Sequence, residues 1–429
     1  MGRTFLFAIG GTGARVLRSL IMILASGYDI KQQEIIPLCV DLDDHNGDLE
    51  RVLKLLRTYR DLKDEIPNRN KFFNNRLGTL GSLTSNSADK VDGISDNFKL
   101  NFGNIYDSFF SYIQGERLDE IDQTLFELLY DDSPSTNPYT ELNLTLDKGF
   151  KGNPNIGCVV FNDIINTPEY KYFENVFTQD DKIFIISSIF GGTGSSGFPQ
   201  LVENIKSSNN NHIANAPLGS LIVKPYFKVH QDEKSTIDSE LFNSKTKAAL
   251  SYYKNNLHGL SNIYYIGDKA TEPYDNIMGG ENQKNKAHIV EFLGAKSICH
   301  FLGQASYSTD TRYYEFGLQE MPNDRIVKRE HFYCKSDASF WEDFSKYALL
   351  CKLHNEISAN YNQFSTFFKE IGLSSNDLGQ MKNLSYFSNA FLTWTKELKQ
   401  NNASLALFNV NDDMQNFAYH HFYFKTDTI

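Results

Sequence analysis

The chain has 429 residues, 41% of them hydrophobic, and a formal net charge of −11. That length supports two or three domains with sizeable cores, while the acidic balance argues against a general nucleic-acid binder, whose phosphate contacts need a basic face. No apolar run approaches the roughly 20 residues of a membrane helix and no leader-like stretch precedes the first apolar run, so a cytoplasmic protein without membrane contact is expected.

In chain order, an apolar run at 4–9 predicts a strand, Gly10, Gly11, Thr12 and Gly13 a turn, and 14–26 a helix. A second strand at 34–40 ends in Asp41 and Asp43, and a helix follows at 47–57. From about 60 to 115 the pattern breaks into polar and turn-forming residues, which reads as an irregular insertion. A helix is predicted at 116–130, an exposed connection at 131–143 and a strand at 156–161. The run at 183–189 predicts a strand that enters Gly191, Gly192, Thr193, Gly194, Ser195, Ser196 and Gly197, with a helix at 198–207. Strands at 218–224 and 262–266 alternate with helices at 241–256 and 286–303. Continuous apolar strands in βα alternation predict an α/β fold, a doubly wound and mostly parallel sheet with its ligand over the carboxyl ends of the strands. Beyond 303, the segments 340–371 and 386–399 carry apolar and aromatic residues at helical spacing, so a mainly helical C-terminal region is expected. Its stripe of Trp341, Phe344, Tyr347 and Leu350 is a core or helix-packing face, with a partner groove as the alternative. The aromatic patch at 419–424 suggests a terminal strand.

The glycines carry the chemistry. Gly191, Gly192, Gly194 and Gly197 remove the Cβ atoms that would hold a phosphate away from backbone amides, and Thr193, Ser195 and Ser196 add hydroxyl donors. The helix that follows aims its unsatisfied amides and positive dipole end at an anion. Many such turns are tight connections without a ligand. The second one, at Gly10, Gly11, Thr12 and Gly13, suggests one nucleotide gripped from two sides.

The ordered motifs resemble the tubulin/FtsZ superfamily in its divergent bacterial tubulin-like branch. GGTGSSGFP at 191–199 is similar to the signature glycine loop and GGTGARV at 10–16 to the first phosphate and base loop. IIPLCVDLDDHNGDL at 35–49 is similar to the second strand and its acidic loop, and LGSLIVKPYFKV at 218–229 to the strand and loop that read VVTKPF in FtsZ. The helix and strand over 244–268, and NQKNKAHIVEFLGAKSICHFL at 282–302 as the start of the central helix, complete the order. The resemblance covers roughly 1–303, a nucleotide-binding domain of Rossmann-like tubulin/FtsZ type, and leaves 304–429 as a divergent, mainly helical domain.

The resemblance implies GTP or GDP as ligand, with Mg²⁺ beside the phosphates. It places Asp41 and Asp43 near the phosphates, where an acidic cluster could equally cap a helix. It places Asn282 and Asn285 near the guanine edge, where either could equally be an N-cap. His288 and Glu291 form a local pair or line the base pocket. Leu77 to Thr84, with Gly78 and Gly81, is a candidate third phosphate loop or a plain surface loop. In the family an acidic loop after the central helix reaches the nucleotide of the next subunit, so hydrolysis depends on self-assembly. The pattern is missing from 303–320, leaving Asp310, Glu315 and Glu320 as weak catalytic candidates.

Three functions are therefore carried forward: a guanine-nucleotide-binding protein that self-assembles and hydrolyses GTP; a GTP sensor that reports to a protein partner through its C-terminal region in a bacterial defence or regulatory system; and an NAD-binding Rossmann enzyme. The last would use Gly11 and Gly13 with Asp41 or Asp43 on a ribose, but Val16 stands where the third glycine belongs. The cysteines Cys39, Cys158, Cys299, Cys334 and Cys351 show no metal-type pairing and read as buried thiols. Adjacent His420 and His421 lack helical metal spacing, so no metal is assigned by motif.

Overall fold

The computed structural model describes residues 2–31, 34–43, 45–66, 71–83, 94, 97–102, 108–130, 141–146, 149–150, 152–230, 241–269, 273–274, 280–315, 338–359 and 381–401. Thr84, Glu320, Cys334, the 131–140 part of the expected connection and the patch at 419–424 lie outside them.

Its centre is a seven-stranded parallel sheet built from β1 (Arg3–Ile9), β2 (Glu34–Val40), β3 (Arg76–Leu77), β4 (Lys182–Ser188), β5 (Leu218–Val223), β7 (Asn262–Ile266) and β9 (Arg312–Glu315), in the order β3-β2-β1-β4-β5-β7-β9. A separate two-stranded ladder joins β6 (Lys228–Val229) to β8 (Pro273–Tyr274). Nearly every residue of β1, β2, β4 and β5 is buried, the signature of strands covered on both faces.

Leu6, Phe184 and Gly219 stand side by side in register and share one face of the sheet. The helix α10 (Ile289–Leu302) lies on that face, and a Cβ on Gly219 would come within 2.8 Å of the Phe301 ring. Beside α10 runs α1 (Gly10–Ala25), and α2 (Gly47–Glu65) packs on α1. On the other face, Phe5 and Phe7 pack edge-on against Phe173 of α6 (Pro168–Val176).

The expected C-terminal helices are α11 (Ala338–Ala359) and α12 (Lys382–Asn401). They form a third layer outside α1, α2 and α10: Phe292 contacts the rings of Trp341 and Trp394, and the indole of Trp394 donates to Ser19 Oγ at 3.2 Å. Trp341, Phe344 and Tyr347 are buried in the same core as the sheet, so this stripe is a packing face; Leu350 at its end is exposed.

Four expectations are corrected. Residues 156–161 form α5 (Pro154–Phe161), a helix rather than a strand. Pro154 at its first turn is preset for a helix, Ile156, Gly157, Val160 and Phe161 face inward, and Gly157 lets α5 close on Ser196, whose Cβ would be 2.6 Å from an added methyl. Both helices expected to follow the glycine turns begin inside them, α1 at Gly10 and α7 (Gly192–Lys206) at Gly192. The irregular stretch from 60 still belongs to α2 as far as Glu65, because Asn46 caps its start, with Asp48 and Glu50 in the first turn and Lys63 in the last. Finally, the described part of the candidate loop, 77–83, lies at the wrong end of the sheet: Arg76 and Leu77 pair with Glu34 and Ile35 at the start of β2, and Ser82 shares a surface pocket with Glu34 and Arg76.

Candidate functional site

Because β1 and β4 are parallel neighbours, their carboxyl ends release the two glycine turns side by side. Gly10 takes a left-handed φ of +68°, and a Cβ there would lie 3.3 Å from Thr193 Cβ and 3.8 Å from the Gly194 nitrogen. The two turns touch. Gly13 and Gly194 serve a second need, the fold-back of each helix on its own strand: an added Cβ would sit 2.7 Å from the Ala8 carbonyl carbon and 2.6 Å from the Ser188 oxygen respectively. Gly192 is pressed under Phe150 and Gly152, and a Cβ added at Gly197 would lie 2.5 Å from the Phe161 ring. Packing alone explains those two. Gly11 differs, since only the tips of Arg15 and Asn46 come near it, at 3.6 and 3.8 Å from an added Cβ.

Neither α1 nor α7 has a side-chain cap or an acidic residue in its first turn. By contrast α2 and α10 carry both. The opening amides of α1 and α7 have no intrahelical acceptor, and two adjacent positive helix ends left without carboxylates form a place suited to an anion.

The expected hydroxyl donors are largely committed elsewhere. Ser195 Oγ bonds the Gly191 oxygen, and Ser196 Oγ donates to the Gly192 oxygen at 2.7 Å, so both hydroxyls turn back into their own helix. That is the usual behaviour of a serine inside a first turn rather than in a loop. Thr12 Oγ1 accepts from Arg15 Nη2 at 3.2 Å.

Beyond β2, Asp43 Oδ2 accepts from the Gly280 amide at 2.6 Å and Asp43 Oδ1 from the His45 amide at 3.1 Å. Asn46 caps α2 and donates to Gln283 Oε1 at 2.6 Å. These bonds dock the 280–285 segment, with Asn282 and Asn285, over the 43–51 segment; Arg51 Nη2 donates to the Asn285 oxygen at 2.7 Å. Asp43 thus works as a clasp. Asp41 is buried, and its desolvation, with the neighbouring Asp43 carboxylate, pushes its carboxyl up to about 7. Lys99, held beside Cys39 on the open edge of β2, opposes that rise. Among the described residues no group of three or more His, Cys, Asp or Glu side chains could hold a metal ion.

The sequence reading missed a buried ionic hub under this surface. Arg15 donates from Nε to Glu291 Oε1 at 2.8 Å, from Nη1 to Asp48 Oδ2 at 2.9 Å and from Nη2 to the Tyr226 hydroxyl at 2.9 Å. Tyr226 donates in turn to Glu291 at 2.7 Å, and Glu291 Oε2 accepts from the His288 amide, closing the capping box of α10. The hub continues outward through Asp48 to Arg51, and Glu397 on α12 takes Arg18 at 2.7 Å and the Ala287 amide at 2.9 Å. An arginine inside the apolar run after GGTGA was the available signal, because a buried charge needs partners. His288 does cap α10, through Nδ1 accepting from Val290 at 3.2 Å.

The weak catalytic candidates stand apart from this site. Glu315 is an exposed end residue of β9, with β5 and β7 between it and β4, and pairs loosely with Lys224 at 3.8 Å. Asp310 is exposed in the turn before β9.

No protein-family model matches the chain, and no curated protein matches it. Among solved structures it is similar to CetZ from Methanosaeta thermophila strain DSM 6194, at 10% identity and a TM-score of 0.33 over 70% of this chain. The chain spans about half the length of that protein, 54%. Among the described residues no helix is long and apolar enough to cross a membrane.

Proposed function

We propose that this protein binds a guanine nucleotide across its two glycine turns, in the manner of the tubulin/FtsZ proteins that its motifs resemble. The observation that carries the reading is the contact of Gly10 with Thr193, which sets two uncapped, acid-free helix starts beside each other at the carboxyl edge of the sheet. Backbone amides of 10–13 and 191–194 would hold the phosphates. The 280–285 segment, clasped by Asp43, would bring Asn282 and Asn285 toward the base. With no three-ligand set among the described residues, Mg²⁺ would be held by phosphate oxygens and water, its usual habit beside nucleotides.

GTP hydrolysis and self-assembly belong to the same reading only if another subunit supplies the acid, because Asp310 and Glu315 are remote from the turns. One observation favours the sensor instead. The chain of contacts Thr12, Arg15, Asp48, Arg51 and Glu397 links the first glycine turn to α12 and hence to the C-terminal layer. The test is to denature the purified protein and identify any released nucleotide by chromatography and mass spectrometry. GTP or GDP supports the reading; NAD, or no nucleotide together with no binding of added GTP, refutes it. Turnover measured on the loaded protein then separates GTPase from sensor.

A further inference from the structure

The helix α4 (Glu120–Leu129) has no buried residue, and of its ten residues only Phe126 is half-buried. Phe126 stacks on Tyr130, which packs edge-on against the buried Phe109; this is the anchor that holds the helix to the body. Beside the anchor, Ile121, Leu125, Leu128 and Leu129 are 80%, 51%, 79% and 60% exposed. Their i, i+4, i+7, i+8 spacing puts them on one stripe. Four large apolar side chains on one stripe are not scattered surface hydrophobics but a contiguous patch. A helix of this length is marginal in water on propensity alone, and the Asp119 cap, which accepts from the amides of Ile121 and Asp122, supplies only part of the deficit.

The charges around the stripe say what covers it. Glu116, Glu120, Asp122 and Glu127 flank it, none forming an ion pair among the described residues, and Arg117 is the single Lys or Arg within 116–130. A second copy of this chain would bring the same carboxylates against each other. The segment 402–429 carries Asp412, Asp413 and Asp427 against Lys425, so it too has the wrong sign.

We propose that α4 is a docking helix for a different protein, one that offers an apolar groove or helix face rimmed by lysine and arginine. The stripe would fill the groove, in the helix-in-groove mode, and the acidic rim would set partner choice and speed of encounter.

The test uses the full chain and a fluorescent, amphipathic helical peptide with leucine on one face and lysine on the other, its binding followed by anisotropy. A peptide of the same pattern with glutamate in place of lysine is the comparison. The lysine peptide is expected to bind saturably and the glutamate peptide at least about tenfold more weakly. The Ile121→Ser/Leu128→Ser variant, which keeps every charge, is expected to lose about tenfold, or 1.4 kcal/mol, in affinity. Because both positions are exposed, its melting temperature should match the wild type. Equal binding of the lysine peptide to variant and wild type would mean attraction to an acidic surface in general and would overturn the proposal. So would absence of binding to the wild type, or a wild-type dimer in sedimentation equilibrium that the variant converts to monomer.

Discussion

Gly10 and Thr193 belong to turns 183 residues apart in the chain, yet a Cβ on Gly10 would lie 3.3 Å from that of Thr193. This contact turns two ordinary strand-to-helix connections into one surface where two positive helix ends meet. Gly10, with its left-handed φ, serves that approach directly, whereas Gly13 and Gly194 close their helices on their own strands, Gly192 packs under Phe150 and Gly11 is hemmed in only by the tips of Arg15 and Asn46. The difference gives a way to separate ligand binding from folding.

Gly11→Asp is expected to abolish the proposed nucleotide binding while leaving the fold intact. The new Cβ meets only the movable tips of Arg15 and Asn46, whereas the carboxylate sits at the opening of α1 and repels phosphate. Gly194→Val should instead lower the melting temperature sharply, since its Cβ would drive into the Ser188 backbone. Calorimetric titration with GTP and thermal unfolding of both variants check the split. Full nucleotide affinity in Gly11→Asp would remove the first turn from the site.

Arg15→Met is expected to destabilise the protein by about 3–5 kcal/mol, because it leaves Glu291 buried without its cation and Asp48 with Arg51 alone. Burial already pushes the Asp48 carboxyl up despite Arg15 and Arg51. Arg15→Lys should recover little, since one ammonium cannot reproduce the fork that serves Glu291, Asp48 and Tyr226 together. Urea denaturation of the two variants against the wild type measures both effects.

How much of this was legible in the sequence follows from range and burial. The strands β1, β2, β4, β5 and β7 are continuous apolar runs, and such runs declare themselves. The edge strand β9 reads RYYE and is largely exposed, while β3 has two residues; neither offers a hydrophobic pattern. The apolar run at 156–161 fits strand and helix alike, and only its closure on Ser196 decides. In the candidate site, the glycine turns were visible because backbone approach needs glycine. The Arg15 hub was not, because its partners lie 33, 211 and 276 residues away and no local rule joins them.

Asp41→Asn should stabilise the protein more at pH 8 than at pH 5. The folded-state pKa of Asp41, about 7, lies above the unfolded value near 3.8, so the unfolded chain binds fewer protons between those limits and stability falls as pH rises through them. A tenfold difference in proton affinity between the two states corresponds to about 1.4 kcal/mol. The amide cannot ionise and escapes the loss. Denaturation midpoints of both proteins at the two pH values give the comparison, and a pH-independent difference would contradict it.

Trp394→Ala tests whether the C-terminal layer is a domain of its own. The indole is fully buried, contacts Phe292 on α10, Phe344 on α11 and Phe391 within α12, and donates to Ser19 on α1. Truncation should cost about 3–5 kcal/mol. If α11 and α12 share one cooperative core with the sheet, as these contacts and the Arg18–Glu397 ion pair require, the variant still unfolds in a single transition shifted to lower urea. Two separated transitions, with only the first one moved, would instead make the α11–α12 layer an independent unit. It would also break the mechanical route from Thr12 to α12 on which the sensor reading depends, because a layer that melts alone cannot report what is bound at the glycine turns.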